Sequence, residues 1–367
     1  MKPTKSLQFQ VEKNKFINHA IEEIPEESLT LTTDEIIVKV DLFSFTSNNI
    51  TYAVSGEIIR YWEFFPPVGK QTEGWGVIPV WGFADVVESK ADNIPVGDRI
   101  FGYFPPASHL KMKAGHITGK RFIDVSEHRS TLPPTYNLYR RVLSEPNYDQ
   151  KLDRDRALFY PLYITSFCLW DSLQENNWFG TEQTIILSAS SKTSIGLAYG
   201  LHIDETAPNA IGITSERNLE AVVKLGLYDE VYTYDQLAQI NSTIPTVIVD
   251  MSGNNVVLVD LHKRLGDLMK FTFKVGLTHW KESNPNEGII KERSKFFFAP
   301  SHIQKRIEDW GASEFDQKTT QFLVDAVATT KAWLQYKTLD GLADLATVYP
   351  TVCNGKLAAD QGLIVKM

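Results

Sequence analysis

The sequence predicts an α/β protein in which a doubly wound parallel sheet is joined to a mostly β domain. Three observations predict it. Residues 1 to about 150 carry β-branched and aromatic runs cut by Gly and Pro turns, with few helical periods. From residue 184 onward, short apolar runs alternate with helical periods, as parallel βα units do. Gly226, Gly266 and Gly311 each follow a helical segment, where a C-terminal helix glycine belongs.

In chain order, QFQVEKN alternates like a strand, and EIIVKVDLFSF is a stronger strand by its β-branched and aromatic content. Residues 44–56, SFTSNNITYAVSG, read as a polar loop. YWEFFPP (61–67) ends in two prolines and so is not helix interior. It is read as core or loop packing, or else as the wall of a ligand pocket. GFADVVES and IFGYF read as strands around the turn ADNIPVGDRI, with Asp98 and Arg99 as a turn and surface ion pair. After Lys151, Leu158, Leu162, Ile164, Phe167, Leu169 and Leu173 keep helical spacing, and Pro161 is expected to break or start that helix. Strands are expected near 184–188, 210–214, 230–234, 246–250, 270–275 and 295–299. Helices are expected near 194–202, 216–225, 255–264 and 302–310, the last with Ser301 as its N-cap. FLVDAVATTKAWLQY reads as helix, and LATVYPTVCNGKLAADQGLIVKM as turn and strand.

Composition narrows the function classes. Hydrophobic residues make up 43% and charged residues 22% of 367 positions, enough for a sizeable core without covalent staples. A net charge of −8 argues against nucleic acid or an anionic membrane as the partner. Cys168 and Cys353 are expected as reduced thiols. The start MKPTKSLQFQVEKNK has no apolar core for a signal peptide, and no apolar run nears the roughly 18 residues of a membrane span. The expected location is the cytoplasm.

The chemistry concentrates in TIILSASSKTSIG (184–196), read as strand, tight turn and helix. A helix start presents free N–H groups and the positive end of the macrodipole, so Ser190, Ser191, Lys192, Thr193 and Gly196 form a candidate cradle for the pyrophosphate of a dinucleotide. The competing reading is an ordinary βα unit without a ligand. The next strand ends in Thr214 and Ser215, with Arg217 close behind and no carboxylate at the strand end. Hydroxyls and a guanidinium suit a 2′-phosphate, which favours NADP(H) over NAD. The alternative makes Ser215 an N-cap and Arg217 a solvated first-turn residue. Ser191-Lys192-Thr193 resembles the end of a nucleoside-triphosphate loop, but the upstream glycine spacing is missing. Neither cysteine lies in the β-rich half and the eight histidines show no ligand spacing, so no zinc is expected. A zinc-free site must stabilise developing charge with hydrogen bonds, and Tyr52 or Tyr61 could supply a proton; either could equally be packing.

The order of these parts resembles the medium-chain dehydrogenase/reductase superfamily, in its zinc-free quinone-oxidoreductase and enoyl-reductase branch. EIIVKVDLFSFTSNN is similar to the family's strand into the active-site loop, and VGDRIFG is the most specific match. PLYITSFCLWDSL resembles the helix before the nucleotide domain, and ILSASSKTSIGLA stands at the phosphate turn. The resemblance implies a GroES-like catalytic domain at 1–155, a Rossmann nucleotide-binding domain at 156–315, and a return to the first domain at 316–367. It implies Thr165 near the nicotinamide, Arg217 on the 2′-phosphate and Tyr234 beside the adenosine. It further implies Gly276 past the nicotinamide carboxamide and Asn49 in the active-site loop. It departs from this chain where Ser190, Ser191 and Lys192 replace glycine, and where Thr46-Ser47-Asn48 replaces asparagine-proline.

The resulting expectation is a zinc-independent, NADPH-dependent reductase of an activated C=C or C=O: an enone, quinone or enoyl thioester. Nicotinamide and acceptor would meet in the cleft between domains, with Tyr61, Tyr52 or water as proton donor. Tyr61 to Phe65 and Trp280 would wall a small apolar acceptor. The alternative is a non-catalytic NADP(H)-binding sensor or scaffold. A homodimer through an edge strand near 268–276 is implied by the resemblance.

Overall fold

A computed structural model describes residues 5–69, 72–275 and 288–367. Gly276 and Trp280 lie outside the described residues. Two compact units form: Met1–Leu158 with Gln335–Leu357 and Gln361–Met367, and Phe159–Leu334 with Ala358–Asp360. Residues 316–334 belong to the second unit, whereas the resemblance implies a return to the first domain at 316.

In the first unit, strands β3 (Glu35–Phe45), β5 (Val80–Ser89), β6 (Arg99–Phe104), β9 (Leu138–Arg141), β8 (Arg121–Asp124) and β7 (His109–Gly115) pair in that order. An extra β3–β7 pairing closes them into a ring. β16 (Gln335–Asp340) and β17 (Gln361–Lys366) extend the sheet, with β17 antiparallel to β3, so the C-terminal end completes the domain. A small sheet joins β2 (His19–Glu23), β1 (Leu7–Glu12) and β4 (Trp75–Gly76). The unit is the mostly β part that the sequence predicts.

Several local readings are corrected. The segment read as a polar loop contains helix α1 (Ser47–Val54), because Thr46 and Asn49 close a capping box around its first turn. Asn49 Oδ1 accepts from Thr46 N at 2.7 Å, and its Nδ2 donates to Pro79 O at 2.8 Å. Its side chain is spent on this cap. Arg99 is no surface residue: it is 5% exposed and bonded to Asp41, Asp85 and Asp153 at 2.6–2.9 Å. Pro161 sits inside a continuous helix, α2 (Asp153–Glu175). A proline cannot donate to the carbonyl four residues back; here the Ser44 hydroxyl donates to Ala157 O at 2.7 Å in its place. The LATVYPTVC stretch is likewise helical, in α8 (Gly341–Cys353) with Pro350 inside.

The second unit is a six-stranded, all-parallel sheet. Its strands are β10 (Gln183–Leu187), β11 (Asn209–Thr214), β12 (Glu230–Thr233), β13 (Thr246–Asp250), β14 (Met269–Lys274) and β15 (Ser294–Phe296). They stand in the order β12-β11-β10-β13-β14-β15. That is the order of a Rossmann sheet, with its switch point between β10 and β13. Helices α3 (Lys192–His202), α4 (Leu219–Leu225), α5 (Asn255–Leu265), α6 (Ala299–Trp310) and α7 (Ala312–Thr330) connect and follow the strands. The expected N-cap Ser301 lies within α6, which starts after Phe298 with Pro300 in its first turn. The strand expected at a sheet edge, near 268–276, is interior: β14 pairs with both β13 and β15. The core beneath the switch point joins Ile185, Leu187, Ile213, Ile248, Leu258 and Leu261.

Candidate functional site

Continuous apolar pairing fixes β10 between β11 and β13, so the turn after Leu187 emerges at the carboxyl edge of the sheet. There Ser188 adopts a left-handed backbone, φ 63°. This costs a residue with a Cβ about 1–2 kcal/mol. The turn offsets the cost with a ring of bonds. Ser191 N–H donates to Ser188 O at 2.8 Å, and Ala189 N–H to Ile213 O at 2.9 Å. Tyr228 OH donates to Ala189 O at 2.9 Å, and Asn218 Nδ2 to Ser190 Oγ at 3.0 Å. Ser191 is the N-cap of α3, its Oγ accepting from Ser194 N at 3.1 Å. Among the described residues the backbone N–H groups of Ser190 and Thr193 meet no acceptor. Free donors of this kind are common to helix starts, and here they are open to an anion.

Gly196 faces away from that turn. A Cβ there would lie 2.6 Å from Ser166 Oγ and 2.7 Å from the Tyr163 ring, so the glycine permits α3 to pack on α2. Ser166 Oγ donates to Thr193 O at 2.8 Å, while Thr165 Oγ1 donates to Pro161 O at 3.1 Å. Lys192 extends its ammonium to Ala359 O at 3.0 Å, over the Trp333 ring. Burial pushes its pKa down to about 8, partly opposed by Asp360. Tyr234 packs on the core, and its hydroxyl lies against Ser188. Burial raises that phenol to about 12.

At the end of β11, Thr214 Oγ1 and Ser215 Oγ are buried and have no hydrogen-bond partner. Ser215 precedes a short 3-10 turn without capping it. A buried polar group left unpaired costs about 1–3 kcal/mol. These two stand beside the exposed Arg217, where a bound 2′-phosphate or an ordered water would satisfy them; Thr184 Oγ1 on β10 is unpaired in the same way. The residues present therefore fit the group that the sequence implies. At the end of β13, Asp250 Oδ1 accepts from Ser252 N, Ser252 Oγ and Gly253 N at 2.7–3.0 Å, while its Oδ2 is buried without a partner. Burial raises its pKa above the ordinary carboxyl value.

In the first unit, Tyr52 and Tyr61 lie in an aromatic nest with Phe64, Trp81, Tyr103 and Tyr136. Both tyrosines are buried. The Tyr61 hydroxyl pairs with that of Tyr136 at 2.8 Å, and the Tyr103 hydroxyl has no partner. Burial pushes the Tyr52 phenol up to about 12 and the Tyr61 and Tyr136 phenols up as well, so all three stay protonated at neutral pH. Among the described residues no three His, Cys, Asp or Glu side chains gather as a metal site. Cys168 and Cys353 are buried and unbridged. Among the described residues no helix is long and apolar enough to cross a membrane.

The model of the family described as "Protein of unknown function (DUF2855)" matches residues 43–358. The chain belongs to the DUF2855 family. No curated protein matches it in sequence. Solved structures share its fold over almost the whole length. CurA from Vibrio vulnificus is 14% identical with a TM-score of 0.62, covering 99% of this chain and 98% of its own. A putative NADPH:quinone reductase from Bacillus thuringiensis is 11% identical with a TM-score of 0.56, covering 99% of each chain. The Etr1p/NADP/crotonyl-CoA complex is 13% identical with a TM-score of 0.56, covering 99% and 100%. These likenesses show that this DUF2855 chain has the medium-chain dehydrogenase/reductase fold.

Sequence reasoning missed three residues of this DUF2855 chain, two in the second unit and one in the first. Tyr228 and Asn218 brace the turn after β10 from the following crossover, and only Gly212 hinted at a close approach there. Tyr136 reaches Tyr61 from 75 positions away, a contact that no local pattern carries.

Proposed function

We propose that this chain is an NADPH-dependent, zinc-independent reductase of an activated C=C or C=O. The observation that carries the reading is the pair of buried, partnerless hydroxyls of Thr214 and Ser215 beside Arg217, next to a turn with two unused N–H donors. Two fold neighbours, one described as a putative NADPH:quinone reductase and one solved as a complex with NADP and crotonyl-CoA, support the same cofactor and acceptor class. When bound, NADPH supplies a hydride to the electrophilic carbon of the acceptor. Ser190 and Thr193 N–H groups bind the pyrophosphate, and Thr214, Ser215 and Arg217 bind the 2′-phosphate. Thr165, Tyr234 and Gly276 keep the nicotinamide and adenosine roles that the resemblance implied. Tyr52 and Tyr61 hold protons as neutral phenols and return one to the reduced acceptor. Asn49 acts through the α1 cap that positions Tyr52. The unbridged thiols support a cytoplasmic protein, and a homodimer would use the β15 edge.

A second reading, a sensor that binds NADP(H) without turnover, is favoured by the burial of both phenols and the commitment of Asn49. Mixing the protein with NADPH and a panel of enones, quinones and enoyl thioesters separates the two. Loss of NADPH absorbance with any acceptor supports the reductase. Tight binding with no turnover on all of them supports the sensor.

A further inference from the structure

We infer that Tyr228 is a positioning residue for the glycine-poor turn: by holding the Ala189 carbonyl it aims the Ser190 N–H at the phosphate. The inference rests on the NADPH reading above and adds the device that makes it workable without the usual glycines. A peptide unit is planar and trans, so the Ala189 carbonyl and the Ser190 N–H point in opposite directions along one rigid plane. Tyr228 OH donates to that carbonyl at 2.9 Å. The carbonyl is thereby turned inward, and the Ser190 N–H, which meets no acceptor among the described residues, is turned out of the turn. The preceding N–H, of Ala189, is fixed to Ile213 O at 2.9 Å, so both polar groups of Ala189 are anchored to the β11 side.

A second observation points the same way. Gly212 lies on β11 beneath this contact, and a Cβ there would come within 2.9 Å of the Tyr228 ring and 3.1 Å of Ala189 Cβ. The glycine therefore makes room for the phenol to reach the turn. The one glycine this arrangement needs sits on the neighbouring strand and not in the turn itself. In a glycine-rich turn the peptide plane rotates readily to meet a phosphate; here the Cβ atoms of Ser188, Ala189, Ser190 and Ser191 narrow that freedom, and a hydrogen bond sets the plane in advance.

The test uses the full chain and two variants that break the contact differently. Tyr228→Phe removes the hydroxyl and keeps the ring, whereas Gly212→Ala keeps the hydroxyl and pushes the ring away. Each is expected to raise the NADPH dissociation constant about fivefold to tenfold, with kcat little changed and the KM for NADPH raised in step. The Ala189 carbonyl ¹³C resonance of the free protein is expected to shift in both. An unchanged dissociation constant in folded Tyr228→Phe protein overturns the inference, as does an unmoved Ala189 resonance. Wild-type protein that binds no NADPH would sink the reductase reading instead, and the Ala189 resonance would then decide the brace alone.

Discussion

Two buried polar clusters in this molecule are built on opposite principles. Arg99 is saturated: its guanidinium meets Asp41, Asp85 and Asp153, and Tyr148 adds a bond to Asp153. Thr214 and Ser215 are left wanting, with both hydroxyls buried and partnerless. A saturated cluster has nothing to offer a ligand and serves the fold. An unsaturated one carries a penalty that an ordered water or a ligand removes, and at the carboxyl edge of the sheet it is open to a ligand.

The contrast can be broken at either end. Arg99→Ala leaves three carboxylates facing one another, Asp153 among them buried; removing one partner of such a cluster costs about 3–5 kcal/mol. Thermal or urea unfolding should show a loss of that size, while the folded fraction still binds NADPH. A loss near zero would mean that the cluster is solvated. Thr214→Val, by contrast, removes a partnerless hydroxyl. Stability should hold or rise by about 1 kcal/mol while NADPH affinity falls about tenfold. If stability falls and affinity does not, the hydroxyl is structural and the contrast fails.

Arg217→Ala tests the charged arm of the same end. The side chain is exposed and in no ion pair among the described residues, so stability should not move. NADPH binding should weaken by several-fold and become more salt-independent, with NADH binding unchanged. The smallest effect concerns His262. Its Nδ1 accepts from Ile290 N–H at 3.0 Å, its Nε2 lies 3.0 Å from Thr272 Oγ1, and burial pushes its pKa down to about 4. The unfolded chain takes up this proton near the ordinary histidine value of 6.5, before the folded one does. Stability should therefore fall as pH drops from about 6.5 to 4, and not further on this account. His262→Gln should flatten that limb of a Tm-against-pH curve.

Much of this architecture was legible in the sequence. Each strand of the second unit lies within a residue or two of its expected start, because a buried parallel strand is a continuous apolar run between turn signals. Two of the errors share a cause: Pro161 and Arg99 are decided by partners far along the chain, Ser44 with Ala157 and Arg99 with Asp153. Local pattern cannot report such partners. The candidate site was legible where strand ends and a helix start define it, at Ser190, Thr193, Thr214 and Arg217. It was illegible where side chains from the next crossover complete it, at Tyr228 and Asn218.

The most direct measurement is the affinity of the purified chain for NADPH and for NADH, followed by the fluorescence of the bound nucleotide. The account predicts saturable NADPH binding that raises Tm, with NADH bound at least tenfold more weakly. Equal affinities, or no binding of either, would contradict it.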